Sequence, residues 1–223
     1  MRINKKRKKI IFVNGYKIRN TLDVNFSIIH QYSSKINEYT PKFYIPKKEI
    51  WVDYIFKKEL DFLLKIEEVQ MPKEIKSYNE ARDYIRKNFC LPGPIPEFIL
   101  KKEKHNDLTI SYVDGSIIRK YIDPEFVFGG HDLVYSYIPK KEVWVDGLMD
   151  KREIPYVLFH EEIERKLMES GKSYDIAHEY ASDFEREMRR SKGSGFYPGD
   201  INYPFRNIKT KKIIKKIYVI KKK

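Results

Sequence analysis

The chain has a single cysteine, Cys90, which excludes an intramolecular disulfide and any zinc site built on cysteines. It has no long apolar run. After the first basic residues the apolar stretch is only Ile10, Ile11, Phe12 and Val13, too short for a membrane span or the core of a signal peptide. Also missing are a P-loop, a Rossmann glycine fingerprint, an ordered Ser, His and Asp set and the aromatic signature of RNA-binding sheets. These absences leave a soluble protein with the cytoplasm as its expected compartment, meaning the host cytoplasm or a virion if the source is viral. Charged residues make up 35% and aromatics 14%, a composition that supports a packed core rather than disorder.

An excess of one charge is absent from the body although the whole chain carries +13. Residues 1–9 hold Arg2, Lys5, Lys6, Arg7, Lys8 and Lys9, and residues 209–223 hold eight lysines, among them Lys211, Lys212, Lys215 and Lys216, with no acid in either segment. Setting these 14 aside from the 45 basic residues leaves 31 against 32 acids. Two basic tails on a neutral body point to contact with nucleic acid or another polyanion through the termini. Lysine-rich ends that only keep the chain soluble remain the equal alternative.

The chain repeats itself. Residues 13–26, VNGYKIRNTLDVNF, align without a gap with 113–126, VDGSIIRKYIDPEF, sharing Val, Gly, Ile, Arg, Asp and Phe. FYIPKKEIWVD at 43–53 matches SYIPKKEVWVD at 136–146 in nine of eleven positions. The order continues through 63–70 against 157–164 and 77–85 against 173–181. The expected organisation is a basic tail at 1–10, a first repeat at 11–90, a linker at 91–107 containing three prolines, a second repeat at 108–192, and a loop with a basic tail at 193–223. Within each repeat the residues predict a β-hairpin turning at Gly15 or Gly115, then a second strand pair, KFYIP with EIWVD or LVYSYIP with EVWVD, joined by Pro-Lys-Lys. Two amphipathic helices follow, at 56–70 and 78–89, and at 154–169 and 174–190, with Ser77 and Glu80 forming a capping box. The fold class is therefore α+β, a duplicated unit of short antiparallel strands followed by a helical hairpin.

Groups able to do chemistry concentrate at 155–190. Pro155 suits a first helical position, Gly171 a helix end and Ser173 the cap of a second helix. His160 and Glu164, four residues apart, leave one face of the first helix, and a tight hairpin brings His178 level with Glu164. Two imidazoles and a carboxylate around an open position form a catalytic zinc set, with Glu161 as general base and Glu185 as a supporting or alternative ligand. The first repeat has Ile66, Gln70 and Arg82 at the three ligand positions and keeps only Glu67, opposite Glu161. A hydrogen-bonded His/Glu network without metal, or a solvated acidic face, would also use these residue types.

The run EVWVDG, then a helix with HExxE, then a further ligand on the next helix, resembles the minimal zincin metallopeptidases over residues 136–190. The resemblance implies a divalent metal, zinc in the first instance, and a peptide substrate laid along the strand at 142–146. It departs from the family in having Glu164 where the second zincin histidine stands. The longer pattern GGHxLxYxxIPxxEVWxD, HExxER and YxxAH is similar to a set of bacterial and phage proteins, which implies a shared fold and site and no activity. His131, in Gly129-Gly130-His131, reads as part of a plain turn or as an outer partner of the site. Trp51 and Trp144 read as core, Asp53 and Asp146 as structural turn residues, and His30 and His105 as surface. The functional expectation is a zincin-like hydrolase, a peptidase first. The alternative is a non-catalytic structural or nucleic-acid-binding protein of a nucleoprotein or viral assembly.

Overall fold

The computed structural model describes residues 8–31, 44–67 and 72–191. In order these form β1 (Lys9–Val13), α1 (Gly15–Thr21), β2 (Ile29–Gln31), β3 (Glu49–Asp53), a 3-10 turn over Tyr54–Glu59 leading into α2 (Leu60–Glu67), and α3 (Tyr78–Phe89). The second half runs β4 (Ile99–His105), β5 (Leu108–Val113), α4 (Gly115–Tyr121), β6 (Gly129–His131), β7 (Glu142–Asp146), α5 (Ile154–Glu169) and α6 (Tyr174–Ser191). The fold is α+β, with two small mixed sheets in the orders β1-β3-β2 and β4-β5-β7-β6.

The glycine turns are helix starts, not hairpins. Asn14 accepts a hydrogen bond from Lys17 N–H, and Asp114 accepts from Ser116 and Ile117 N–H, so each chain enters a short helix instead of reversing. The strand before the glycine then pairs in parallel with the strand that follows later, β1 with β3 and β5 with β7. Glycine is needed because the carboxylate at the end of that later strand presses on the helix start. A Cβ on Gly15 would lie 1.7 Å from Asp53 Oδ2, and one on Gly115 2.0 Å from Asp146 Oδ2.

Two further expectations change. LVYSYIP is not a strand: Val134 and Tyr135 N–H bond back to His131 C=O and Ile138 N–H to Tyr135 C=O, which commits the backbone to turns while Tyr135 and Tyr137 stack toward Trp144. The described part of KFYIP, residues 44–46, is likewise not a strand. The antiparallel partner of EVWVD is the preceding GGH, and that of EIWVD is Ile29–Gln31. The linker also contains a strand. Residues 99–105 pair with β5 through a turn at Asn106, whose φ is 58°. Its charged sequence reflects an edge position, where most side chains face water.

The halves interlock. Ile50, Val52, Phe56, Leu63 and Leu64 form one core, and Ile110, Val143, Val145, Met149 and Val157 form another. Phe128 packs against both, as does Ile55, and Phe128 meets Phe56 with ring centroids 5.8 Å apart. Trp144 is buried, whereas Trp51 is half-buried; each indole donates to the glutamate two residues earlier, Glu142 and Glu49.

Buried ion pairs cross between the halves in a reciprocal pattern. Arg19 binds Asp53 of its own half and Glu153 of the other, at 3.0 and 2.7 Å. Arg119 binds Asp146 of its own half and Glu59 of the other, at 3.1 and 2.7 Å. Asp53 and Asp146 thus serve structure, each also accepting a backbone N–H two residues on. Removing one member of such a pair strands a buried charge and costs about 3–5 kcal/mol.

Candidate metal centre

Helix α5 starts with Pro155 in its first turn and packs along α6, while Gly171 at φ 90° lets the chain reverse between them. This hairpin brings His160, Glu164 and His178 together. His178 Nδ1 lies 2.6 Å from Glu164 Oε2, His160 Nε2 lies 3.2 Å from His178 Nδ1, and His160 Nε2 lies 3.4 Å from Glu164 Oε2. Ligands ~2.0–2.1 Å from a tetrahedral zinc sit ~3.3 Å apart. Two of the three separations meet that spacing, and the third needs only the His178 ring to withdraw by a fraction of an ångström. Among the described residues, this trio and the overlapping set His131, Glu161 and Glu164 are groups that could hold a metal ion.

The surroundings hold these three side chains in place. Glu185 Oε2 lies 3.1 Å from His160 Nδ1, which turns Nε2 toward the trio. His131 is not in a turn. It ends β6, fully buried, and its Nδ1 accepts from Leu133 N–H, so its Nε2–H donates to Glu164 Oε1 at 3.1 Å. That bond leaves Oε2 of Glu164 facing His160 and His178. Tyr174 stacks on the half-exposed His178 ring, with centroids 5.4 Å apart.

The acids of the site divide into paired carboxylates and Glu161. Glu153 pairs with Arg19 and Arg189, Glu185 with Arg189 and His160, and Glu164 with His131, His160 and His178. Burial opposes the charge on His160, yet its hydrogen bonds to Glu164 and Glu185 outweigh this and push its pKa up to about 10. Burial likewise opposes ionisation of Glu164, but hydrogen bonds from His131, His160 and His178 hold it well below the usual carboxylate range. For Glu185 burial is outweighed by Arg189 and His160, which hold it down to about 2. Glu161 moves the other way: burial, then the charge of Glu164, raises its pKa. Glu161 is 9% exposed, lines the cleft and makes no hydrogen bond or ion pair among the described residues. The acidic-face alternative therefore fails at Glu161 and Glu164, while Glu162 pairs at the surface with His105.

A cleft of about 310 Å³ opens over these groups. Val24, Phe26 and Ser27 from the first half form one wall; Phe128, Gly129, Tyr135 and Val157 from the second form another. His160, Glu161, Glu164 and His178 also line it. The strand at 142–146 does not border the cleft. Strand β7 is paired on both sides, by β5 and β6, so it has no edge for a peptide. Strand β6 is the edge beside the site. Its bonds to β7 run through Phe128 C=O and Asp132 N–H, which places the amide and carbonyl of Gly129 on the outer side.

Sequence reasoning missed Arg19, Glu153 and Arg189, although the arginine repeated at 19 and 119 was the available signal. His30 is half-buried and bonded to Ser27 N–H rather than free at the surface. Of the basic tail residues, Arg2, Lys5, Lys6, Arg7, Lys211, Lys212, Lys215 and Lys216 lie outside the described residues, as does Gln70. Lys8 bonds Gln31 Oε1 at 2.6 Å, and Lys9 begins β1. No described helix is long and apolar enough to cross a membrane. Compared with protein-family models, curated proteins and solved structures, the chain matches none.

Proposed function

We propose that the chain is a metal-dependent hydrolase of zincin-like design, acting on a peptide amide. The observation that carries this reading is the convergence of His160 Nε2, His178 Nδ1 and Glu164 Oε2 under a cleft that Glu161 also lines. Two imidazoles and one carboxylate suit zinc and its first-row neighbours better than calcium or magnesium. A cation held there supplies Lewis-acid charge for a scissile carbonyl and for the attacking water. His131 and Glu185 keep the ligand atoms aimed. Glu161 takes the proton of the water and passes it to the leaving amine, a role for which its raised pKa, opposed by a nearby cation, is suited. An extended substrate would pair with the outer edge of β6 at Gly129, in place of the expected strand at 142–146.

Elemental analysis of untagged protein tests the reading, with one equivalent of metal expected and loss of it in His160→Ala. Glu161→Gln should keep the metal and lower kcat of peptide hydrolysis by about 10²–10⁴. Wild-type protein with metal well below one equivalent sinks the proposal.

A further inference from the structure

The buried ion pair that joins the halves at Arg19 does not stop at Glu153. Glu153 Oε1 binds Arg19 Nε at 2.7 Å, and its Oε2 binds Arg189 Nη2 at 2.5 Å. Arg189 Nε binds Glu185 Oε1 at 2.8 Å, and Glu185 Oε2 meets His160 Nδ1 at 3.1 Å. The guanidinium of Arg189 is 1% exposed, lies 4.1 Å from the Tyr156 ring centroid and has one nitrogen, Nη1, without a hydrogen-bond partner. Its position is therefore set by the two glutamates. Each glutamate bridges two groups with its two oxygens, so moving one member moves the next.

The mirror pair shows what a purely structural version looks like. Arg119 binds Glu59 through both Nε and Nη2, a closed fork that uses both carboxylate oxygens. Among the described residues no hydrogen bond continues beyond Glu59. Extending the ungapped register of 77–85 with 173–181, the positions matching Glu185 and Arg189 are Phe89 and Gly93.

We propose that Arg19, on the half of the chain without metal ligands, is a positioning residue for His160, acting through Glu153, Arg189 and Glu185. The inference rests on the metal reading for its consequence, and on geometry alone for the coupling. Arg19 reaches Glu153, Phe26 C=O and Asp53 with three different nitrogens. A lysine ammonium keeps the charge and cannot span all three.

The test compares Arg19→Lys with Arg119→Lys in the full chain, with zinc alone as the probe. Arg19→Lys should weaken zinc binding about 10- to 100-fold, the usual cost of losing an outer partner of a ligand, while Arg119→Lys leaves it unchanged at a similar fall in Tm. In a Glu185→Gln background the Arg19 effect should disappear. In metal-free protein, the downfield NMR signal of the His160 Nδ1 proton should shift in Arg19→Lys and not in Arg119→Lys. Equal effects of the two lysine variants on zinc affinity and on this signal overturn the proposal. If wild-type protein takes up no zinc yet the signal responds to Arg19 alone, the metal reading falls and the positioning role stands.

Discussion

Two helical segments with matching sequences end in different places. In the second half α5 and α6 pack along each other, and His178 reaches Glu164. In the first half, no comparable packing joins α2 to α3 among the described residues. Arg82, at the position of His178, instead reaches Asp123 of the second half at 2.7 Å and lies 4.4 Å from the Tyr135 ring centroid. Arg86 joins it on the same Asp123 oxygen. One helix thus carries His178 to Glu164, and its counterpart fastens the two halves together beside Tyr135 of the cleft wall. The cluster of His160, Glu164 and His178 needs a packed hairpin as well as those residue types, and among the described residues the second half has both.

Breaking the ligand set should have the largest effect. His160→Ala and His178→Ala should each weaken zinc binding by more than the roughly 100-fold that loss of an outer partner costs, read as metal content after dialysis. The reverse exchange sharpens the comparison: Ile66→His, Gln70→Glu and Arg82→His together should add no second equivalent, because no packing comparable to that of α5 on α6 joins α2 to α3 among the described residues. A second equivalent would show that residue identity alone makes the site.

The glycines at the two helix starts should behave alike. Gly15→Ala and Gly115→Ala each drive a Cβ into a buried carboxylate, and each should cost about 3 kcal/mol in denaturant unfolding. A large difference between them would show that the halves are not equivalent in packing.

Asp123 and Asp23, its counterpart, should separate. Burial opposes ionisation of Asp123, but Arg86 and Arg82 outweigh it and lower its pKa below the ordinary value of 3.8. A lowered carboxylate pKa adds stability above the unfolded value, and that stability is lost as pH falls through the folded value. Asp123→Asn should therefore cost about 3 kcal/mol at neutral pH and flatten the acid limb of the stability curve between pH 4 and the folded pKa. Asp23, which accepts from the Tyr44 hydroxyl at 2.7 Å, should cost about 1 kcal/mol when changed to Asn. The smallest effect belongs to His105→Ala. Its half-exposed pair with Glu162 should contribute under about 0.5 kcal/mol, with metal content unchanged.

The sequence by itself determined the α+β class, the helices at 78–89, 154–169 and 174–190 with the capping box at Ser77, and the spacing that puts His160 and Glu164 on one helix face. These rest on local periodicity and capping, which a few neighbouring residues decide. Comparison of the two repeats also singled out His160, Glu164 and His178. Tertiary structure decided the rest. Whether the strand before Gly115 turns back or crosses over depends on which distant edge is open to it. Whether a charged segment such as 99–105 is linker or edge strand depends on β5 lying beside it. The burial of His131 against Glu164 requires β6 to pass under α5. The link from Arg19 to His160 joins residues 141 positions apart through three side chains, and no local pattern records a contact that exists only once the two halves have closed on each other.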